Sequence, residues 1–195
     1  MVIKVLTGPM FSRKSEEMIV ILSSATYTKK IILVVKPDTD TRKTRDIFVM
    51  IKDHRNLKKY PHLFTEVISS PADLRRLVSE HNPDLLVIEE AQFLKGRGFV
   101  KYISKLARDR KADNFTIWIS GLDMDAWGKP FGIMPHLMAI ADEVIKRKAV
   151  CIECMDDNSP AVITQKLSGS SNQIEVGDEI YGARCRKCHK LPITT

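Results

Sequence analysis

Four cysteines, all in the last quarter of the chain, fall into two pairs with two residues between partners, Cys151-Ile-Glu-Cys154 and Cys185-Arg-Lys-Cys188. Each hook presents two thiolates on one side of a tight turn. Two hooks complete a tetrahedral zinc site with no position left for water, so the metal would be structural. Disulfides are the alternative, disfavoured in a cytosolic protein, and the His189 imidazole could replace Cys188 as fourth ligand. The 30 residues between the hooks, Met155 to Arg184, exceed what a simple ribbon needs, which leaves that loop free for a task of its own.

A second group lies near the start. Gly8-Pro9-Met10-Phe11-Ser12-Arg13-Lys14-Ser15 follows a short β-prone run and opens a helical one. In that setting backbone N–H groups of the turn and helix N-terminus face phosphates, Lys14 reaches the β/γ oxygens, and the Ser15 hydroxyl ligates magnesium. Arg13 occupies a place where the pattern has glycine. If the backbone there is left-handed, an L-residue costs on the order of 1–2 kcal/mol, and its side chain must swing outward or lend its charge to the nucleotide. A third group, Leu85-Leu-Val-Ile-Glu89-Glu90, ends an apolar strand in two carboxylates. Consecutive strand residues point to opposite faces, so one carboxylate can hold magnesium through water while the other acts as a base. A solvated strand end is the simpler reading of that pair, set aside because the phosphate-type turn accompanies it. The segment Gly121-Leu-Asp123-Met-Asp125 brings further acid to the end of a later strand.

The elements that must position these groups alternate. Val2–Leu6, Ile31–Val35, Leu85–Ile88, Phe115–Ser120 and Val144–Ile145 read as strands; Ser15–Ser24, Phe99–Ala107 and Leu137–Asp142 read as helices. Ser70 caps a further helix with Pro71 at its first position, Asp73 three residues after the cap, and Leu74, Leu77 and Val78 on one face; Asn82-Pro83 ends it. Residues 37–62 have no clear period and read as a long excursion or hairpin. Alternating strands and helices imply an α/β fold, a parallel sheet with flanking helices. The composition changes near Ala149, which divides the chain into a nucleotide-binding domain (1–149) and a small zinc-binding domain (150–195).

Charge and composition narrow the rest. The chain has 195 residues, 44% hydrophobic, enough for a real core. No apolar run approaches the roughly 18 residues of a membrane span, and the first residues lack a secretory pattern, so a soluble, cytoplasmic protein is expected. The net charge is +7, and residues 151–195, with five Lys/Arg against six Asp/Glu, leave +8 for the remainder. Arg42, Lys43, Arg45, Lys52, Arg55, Lys58 and Lys59 form a basic stretch suited to polyanions, or simply a solvated face. A nucleic-acid binder would add an aromatic-rich stacking platform, and none accompanies the stretch.

Taken together, GPMFSRKS (8–15), KPDTDTR (36–42), EEAQF (89–93), GLDMD (121–125), GKPFG (128–132), KAVCIEC (148–154) and VGDEIYGARCRKCH (176–189) resemble the thymidine kinases that pair a P-loop sheet with a zinc-bearing lasso domain. The resemblance implies transfer of the ATP γ-phosphate to the 5′-hydroxyl of thymidine, with Glu90 as catalytic base, Glu89 and Ser15 on the magnesium side, and residues 8–15 around the phosphates. It further implies a thymine pocket of Met10, Phe93, Leu122, Thr164, Ile174 and Tyr181 under a lid anchored by zinc, a homotetramer, and inhibition by thymidine triphosphate. Four positions depart from the family pattern: Arg13 for Gly, Glu89 for Asp, Ala126 for an aromatic residue, and Lys166 for Arg. Arg13 and Ala126 motivate a second reading, a nucleotide-binding relative that has lost catalysis or shifted substrate and acts as a regulator.

Overall fold

The computed structural model describes residues 1–39, 46–110, 114–156, 158–168 and 179–191. Six strands, β1 (Val2–Thr7), β2 (Ile32–Pro37), β3 (Leu63–Ile68), β4 (Leu85–Ile88), β5 (Thr116–Gly121) and β6 (Glu143–Lys146), form one parallel sheet in the order β3-β2-β4-β5-β1-β6. Strands β2 and β4 are buried along their whole length because helices cover both faces. One layer of core packs Leu74, Leu77, Phe99, Ile103 and Leu137 against Ile3, Leu33 and Ile117; the other packs Met18, Leu22, Ile47 and Leu57 against Leu6, Val34 and Val87. Among the described residues, no helix is long and apolar enough to cross a membrane.

The helices are α1 (Lys14–Thr26), α2 (Ile47–Asp53), α3 (Pro71–His81), α4 (Gly98–Asp109) and α5 (Met134–Ile140). The expected cap of α3 is present in full: Ser70 Oγ accepts from Asp73 N–H at 3.2 Å, and the Asp73 carboxylate accepts from Ser70 N–H at 2.9 Å. The Ser70 hydroxyl, which donates to the same carboxylate at 2.9 Å, then the N–H and hydroxyl of Ser69 and the Ser70 N–H, hold the Asp73 carboxyl down at about 2. Asn82, left-handed at φ 41°, ends the helix as its sequence implied.

The described part of the excursion at 37–62 is not a hairpin. It contains α2 and a short 3-10 turn, Leu57–Lys59, both packed on the sheet. Asp46 accounts for the helix: it caps α2 by accepting from Phe48 N–H at 2.7 Å, and it pairs with buried Lys36 at the end of β2. Arg42, Lys43 and Arg45 of the basic stretch lie outside the described residues. The sheet also gains an edge strand, β3, that the sequence pattern does not reveal, and α5 begins three residues earlier than its pattern suggests. Beyond the main sheet, β7 (Ile163–Lys166) and β8 (Tyr181–Arg184) pair antiparallel and carry the second cysteine hook on their exit.

Candidate active site

The carboxyl ends of β1, β4 and β5 are adjacent, because β5 lies between the other two. Open parallel sheets bind ligands along that edge. The turn from β1 into α1 therefore faces the acidic end of β4 across the end of β5.

Gly8 opens the turn at φ 139°, and a side chain there would place Cβ 2.3 Å from the Arg147 carbonyl oxygen just beyond β6. Only glycine lets the turn pass that close. Phe11 and Arg13 are both left-handed, Arg13 at φ 61° and ψ 32°. The backbone thus demands at residue 13 the conformation that glycine supplies cheaply, and the Arg13 side chain is exposed. Lys14 is buried and its Nζ donates to the carbonyls of Gly8 at 3.1 Å and Pro9 at 2.8 Å, while Ser12 Oγ also donates to Pro9 at 2.8 Å. These bonds draw the turn around a central ammonium.

Glu89 and Glu90 are both buried, at 2% and 8% exposure. Continuing the β4–β5 register past Ile88–Ile119 sets Glu89 beside Ser120. Burial, then the neighbouring charge of Glu90, pushes the Glu89 carboxyl up to about 7; Ser120, Ser15 and Lys14 oppose the shift. Neither serine hydroxyl reaches hydrogen-bonding geometry, so both Glu89 oxygens are buried without a donor. Two orphaned carboxylate oxygens near a serine hydroxyl and a lysine suit a hydrated divalent cation, whose charge would meet the cost of burial. Glu90 is left-handed (φ 53°) where β4 breaks into the 3-10 turn Ala91–Phe93, and its Oε2 accepts from the buried Gln92 side-chain amide. The two carboxylates therefore have different surroundings, as a division of labour requires.

Of the other acids at this edge, Asp123 pairs with Lys146 at 2.5 Å. Asp125 Oδ1 accepts from Trp127 and Lys129 N–H groups at 3.0 and 2.9 Å, an arrangement that shapes the following turn. Both therefore serve the scaffold.

The expected nucleoside residues converge in part. Met10 N–H donates to Thr164 Oγ1 at 2.9 Å, which joins the phosphate turn to β7. Tyr181 shares the Thr164 face of the small sheet, two positions along in register from Ala183, the partner of Thr164. Phe93 meets Phe131 edge to face with centroids 5.8 Å apart, and Leu122 N–H donates to Gln92 Oε1 at 3.0 Å. Ile174 lies outside the described residues. Gln92 and Phe131 received no role from sequence reasoning although both stand inside quoted motifs. A polar residue set in a run otherwise buried was the available signal for Gln92.

The sulfurs of Cys151, Cys154, Cys185 and Cys188 lie within 4.8 Å of one another, and none is in a disulfide. Zinc–sulfur bonds of about 2.3 Å set a tetrahedron edge of about 3.8 Å, so a small contraction closes these four thiols on one ion. The Cys151 thiol is held down at about 6: burial pushes it up, but N–H groups of Cys154, Cys185 and Glu153 aimed at the sulfur outweigh that. A hydrogen bond with the Cys185 sulfur, then burial, takes the Cys188 thiol up to about 12 in the absence of metal. His189 is not the fourth donor in this geometry; its Nε2–H donates to the Ala126 carbonyl at 2.9 Å and ties the cysteine cluster to the loop after β5.

A glycine-opened turn after β1, a buried carboxylate pair at the end of β4 with β5 between them, and four clustered cysteines able to hold a metal form the arrangement that a phosphotransferase would use. Residues 1–189 match the thymidine kinase family. The chain is 37% identical over 189 residues to the thymidine kinase of Mycoplasma mobile, covering 96% of this chain and 86% of that protein. It is 33% identical over 187 residues to that of Metamycoplasma arthritidis (96% and 89%) and 37% identical over 191 residues to that of Mesomycoplasma hyopneumoniae (97% and 96%). The chain belongs to the thymidine kinase family. A non-catalytic regulator finds no support in these relatives.

Proposed function

We propose that the chain transfers the γ-phosphate of ATP to the 5′-hydroxyl of thymidine. The observation that carries this reading is the placement of buried Glu89 near Lys14 and Ser15 of the turn, with Glu90 following it in a different setting beside Gln92. ATP would lie with its phosphates over residues 8–15 and Lys14 close to the β/γ oxygens. Ser15 and Glu89 would hold magnesium, which neutralises charge on the phosphates when bound. Glu90 would accept the proton of the 5′-hydroxyl as that oxygen attacks the γ-phosphorus; the new O–P bond forms as the β–γ bridge breaks, and ADP leaves with the bridging oxygen.

Met10, Phe93, Leu122, Thr164, Ile174 and Tyr181 are the residues proposed to enclose the thymine. The bond from Met10 to Thr164 supports a shared site, since it brings the phosphate turn and the lid strand together. Zinc on the four cysteines would fix both ends of the lid, and the break between the two sheets supports a boundary near residue 149. A homotetramer and inhibition by thymidine triphosphate are proposed on the family resemblance alone. A cytoplasmic location is proposed on the same ground and on four cysteines disposed for metal instead of disulfides.

Incubation with γ-labelled ATP, magnesium and a panel of nucleosides tests the reading. Label is expected on thymidine 5′-monophosphate; intact nucleotide binding with no labelled nucleoside at high enzyme concentration overturns it.

A further inference from the structure

Gln92 is 3% exposed and hydrogen-bonded at both ends of its side chain. Its Oε1 accepts from Leu122 N–H at 3.0 Å, and its Nε2 donates to Glu90 Oε2. The orientation of the amide is forced: a backbone N–H can only donate, so oxygen must face Leu122 and the NH2 group must face Glu90. Space is equally restrictive. A Cβ at Gly121 would stand 2.6 Å from Gln92 Oε1 and 2.9 Å from Met134 Sδ, so the strand end before Leu122 has been cut back to admit the amide. The backbone around Gln92 is fixed as well, by the left-handed Glu90 and by the bond from Phe93 N–H to the Glu90 carbonyl at 3.0 Å.

We infer that Gln92 is a positioning residue for phosphoryl transfer, a rigid link that occupies one oxygen of Glu90 and ties it to the backbone of the nucleoside pocket at Leu122. With Oε2 held by the amide, rotation of the carboxylate is blocked and Oε1 is the oxygen presented to the nucleoside hydroxyl. Leu122 lies 30 residues downstream, immediately after the end of β5, so the same side chain sets the base and one wall of the pocket at a fixed separation. Base catalysis depends on that separation, because a misplacement of about 1 Å can cost about 100-fold in rate. This inference rests on the proposed role of Glu90.

Two variants separate the ends of the link. Gln92→Glu keeps an oxygen for Leu122 N–H and removes the donor to Glu90; Gln92→Met keeps length and bulk and removes both. Steady-state kinetics with thymidine and ATP should show kcat reduced about 10- to 100-fold in both, with the KM for ATP within twofold of the parent. The KM for thymidine should rise only in Gln92→Met, where Leu122 loses its acceptor. In a Glu90→Ala background, Gln92→Glu should change the residual kcat by less than twofold, since groups acting as a unit are not additive. Full multiplication of the two losses would mark a structural role and overturn the assignment, as would a parental kcat in Gln92→Glu. Thermal melts accompany each variant, and failure of both single variants to fold would likewise assign Gln92 to the scaffold. Glu90→Ala with undiminished kcat would instead remove the proposed base and leave the enzyme's substrate assignment standing.

Discussion

Substitution of Arg13 by glycine should stabilise the protein, which is unusual for removing a large side chain. Arg13 stands at φ 61° and ψ 32°, makes no side-chain bond to cap α1, and projects into solvent. Relief of the left-handed backbone is worth roughly 1–2 kcal/mol. The added freedom of glycine in the unfolded chain takes back about 0.4–1 kcal/mol. The net expectation is a gain of about 0.5–1 kcal/mol, or about 1–4 °C in Tm for a chain of this length. Arg13→Ala should change little, because the methyl keeps the strain and the lost side chain is exposed. Arg13→Val should lose more than 1 kcal/mol, since branching at Cβ worsens the left-handed clash. Thermal melts of the zinc-loaded protein, run in parallel for the three variants, provide the assay. The ranking Gly above Ala above Val is expected, with kcat for Arg13→Gly within a few-fold of the parent. A glycine variant less stable than the alanine variant would refute the left-handed turn and the role of strain in it.

Gly8→Ala should destabilise the protein by about 2 kcal/mol or more and abolish nucleotide binding, because its Cβ would lie 2.3 Å from the Arg147 oxygen; melting and ATP titration check this. In the absence of magnesium and nucleotide, the raised Glu89 carboxyl, about 7 against an ordinary 4.5, makes the folded state the stronger proton binder between those values. Its stabilising contribution is therefore complete below pH 4.5 and is lost as pH rises through 7. Glu89→Gln should remove that slope and raise stability at pH 8, read from urea curves at several pH values. Metal chelation should expose residues 150–191 to protease before the sheet of residues 2–146, as fragment masses over time would record.

How much the sequence revealed depended on whether its signals were local. The α3 helix carried its own instructions, from the Ser70–Asp73 cap to Asn82, and matches its expected span. The cysteine hooks were equally explicit, because their spacing alone sets the ligand geometry. Strand β3 escaped notice: Leu63-Phe-Thr-Glu-Val-Ile is a half-exposed edge with mixed polarity, and only pairing with β2 makes it a strand. Helix α2 was hidden for a related reason, since Ile47-Phe-Val-Met-Ile is rich in strand-prone residues and the helix depends on Asp46, held in turn by Lys36 of β2. The turn of residues 8–15 and the Glu89–Glu90 pair, whose proposed roles are phosphate binding and catalysis, were legible as contiguous motifs. The function of Gln92 was not, because its meaning comes from Leu122, which only the parallel sheet brings to it.

The central claim is that a carboxylate at the end of β4 acts on a nucleoside held beside the phosphate turn. The most direct measurement compares γ-phosphate transfer to thymidine by the parent and by Glu90→Gln, with ATP affinity measured calorimetrically on the same samples. A fall of about 100- to 10,000-fold in turnover, with ATP affinity within a few-fold, is the predicted result. Turnover equal to that of the parent would contradict the claim and require another group to take the proton.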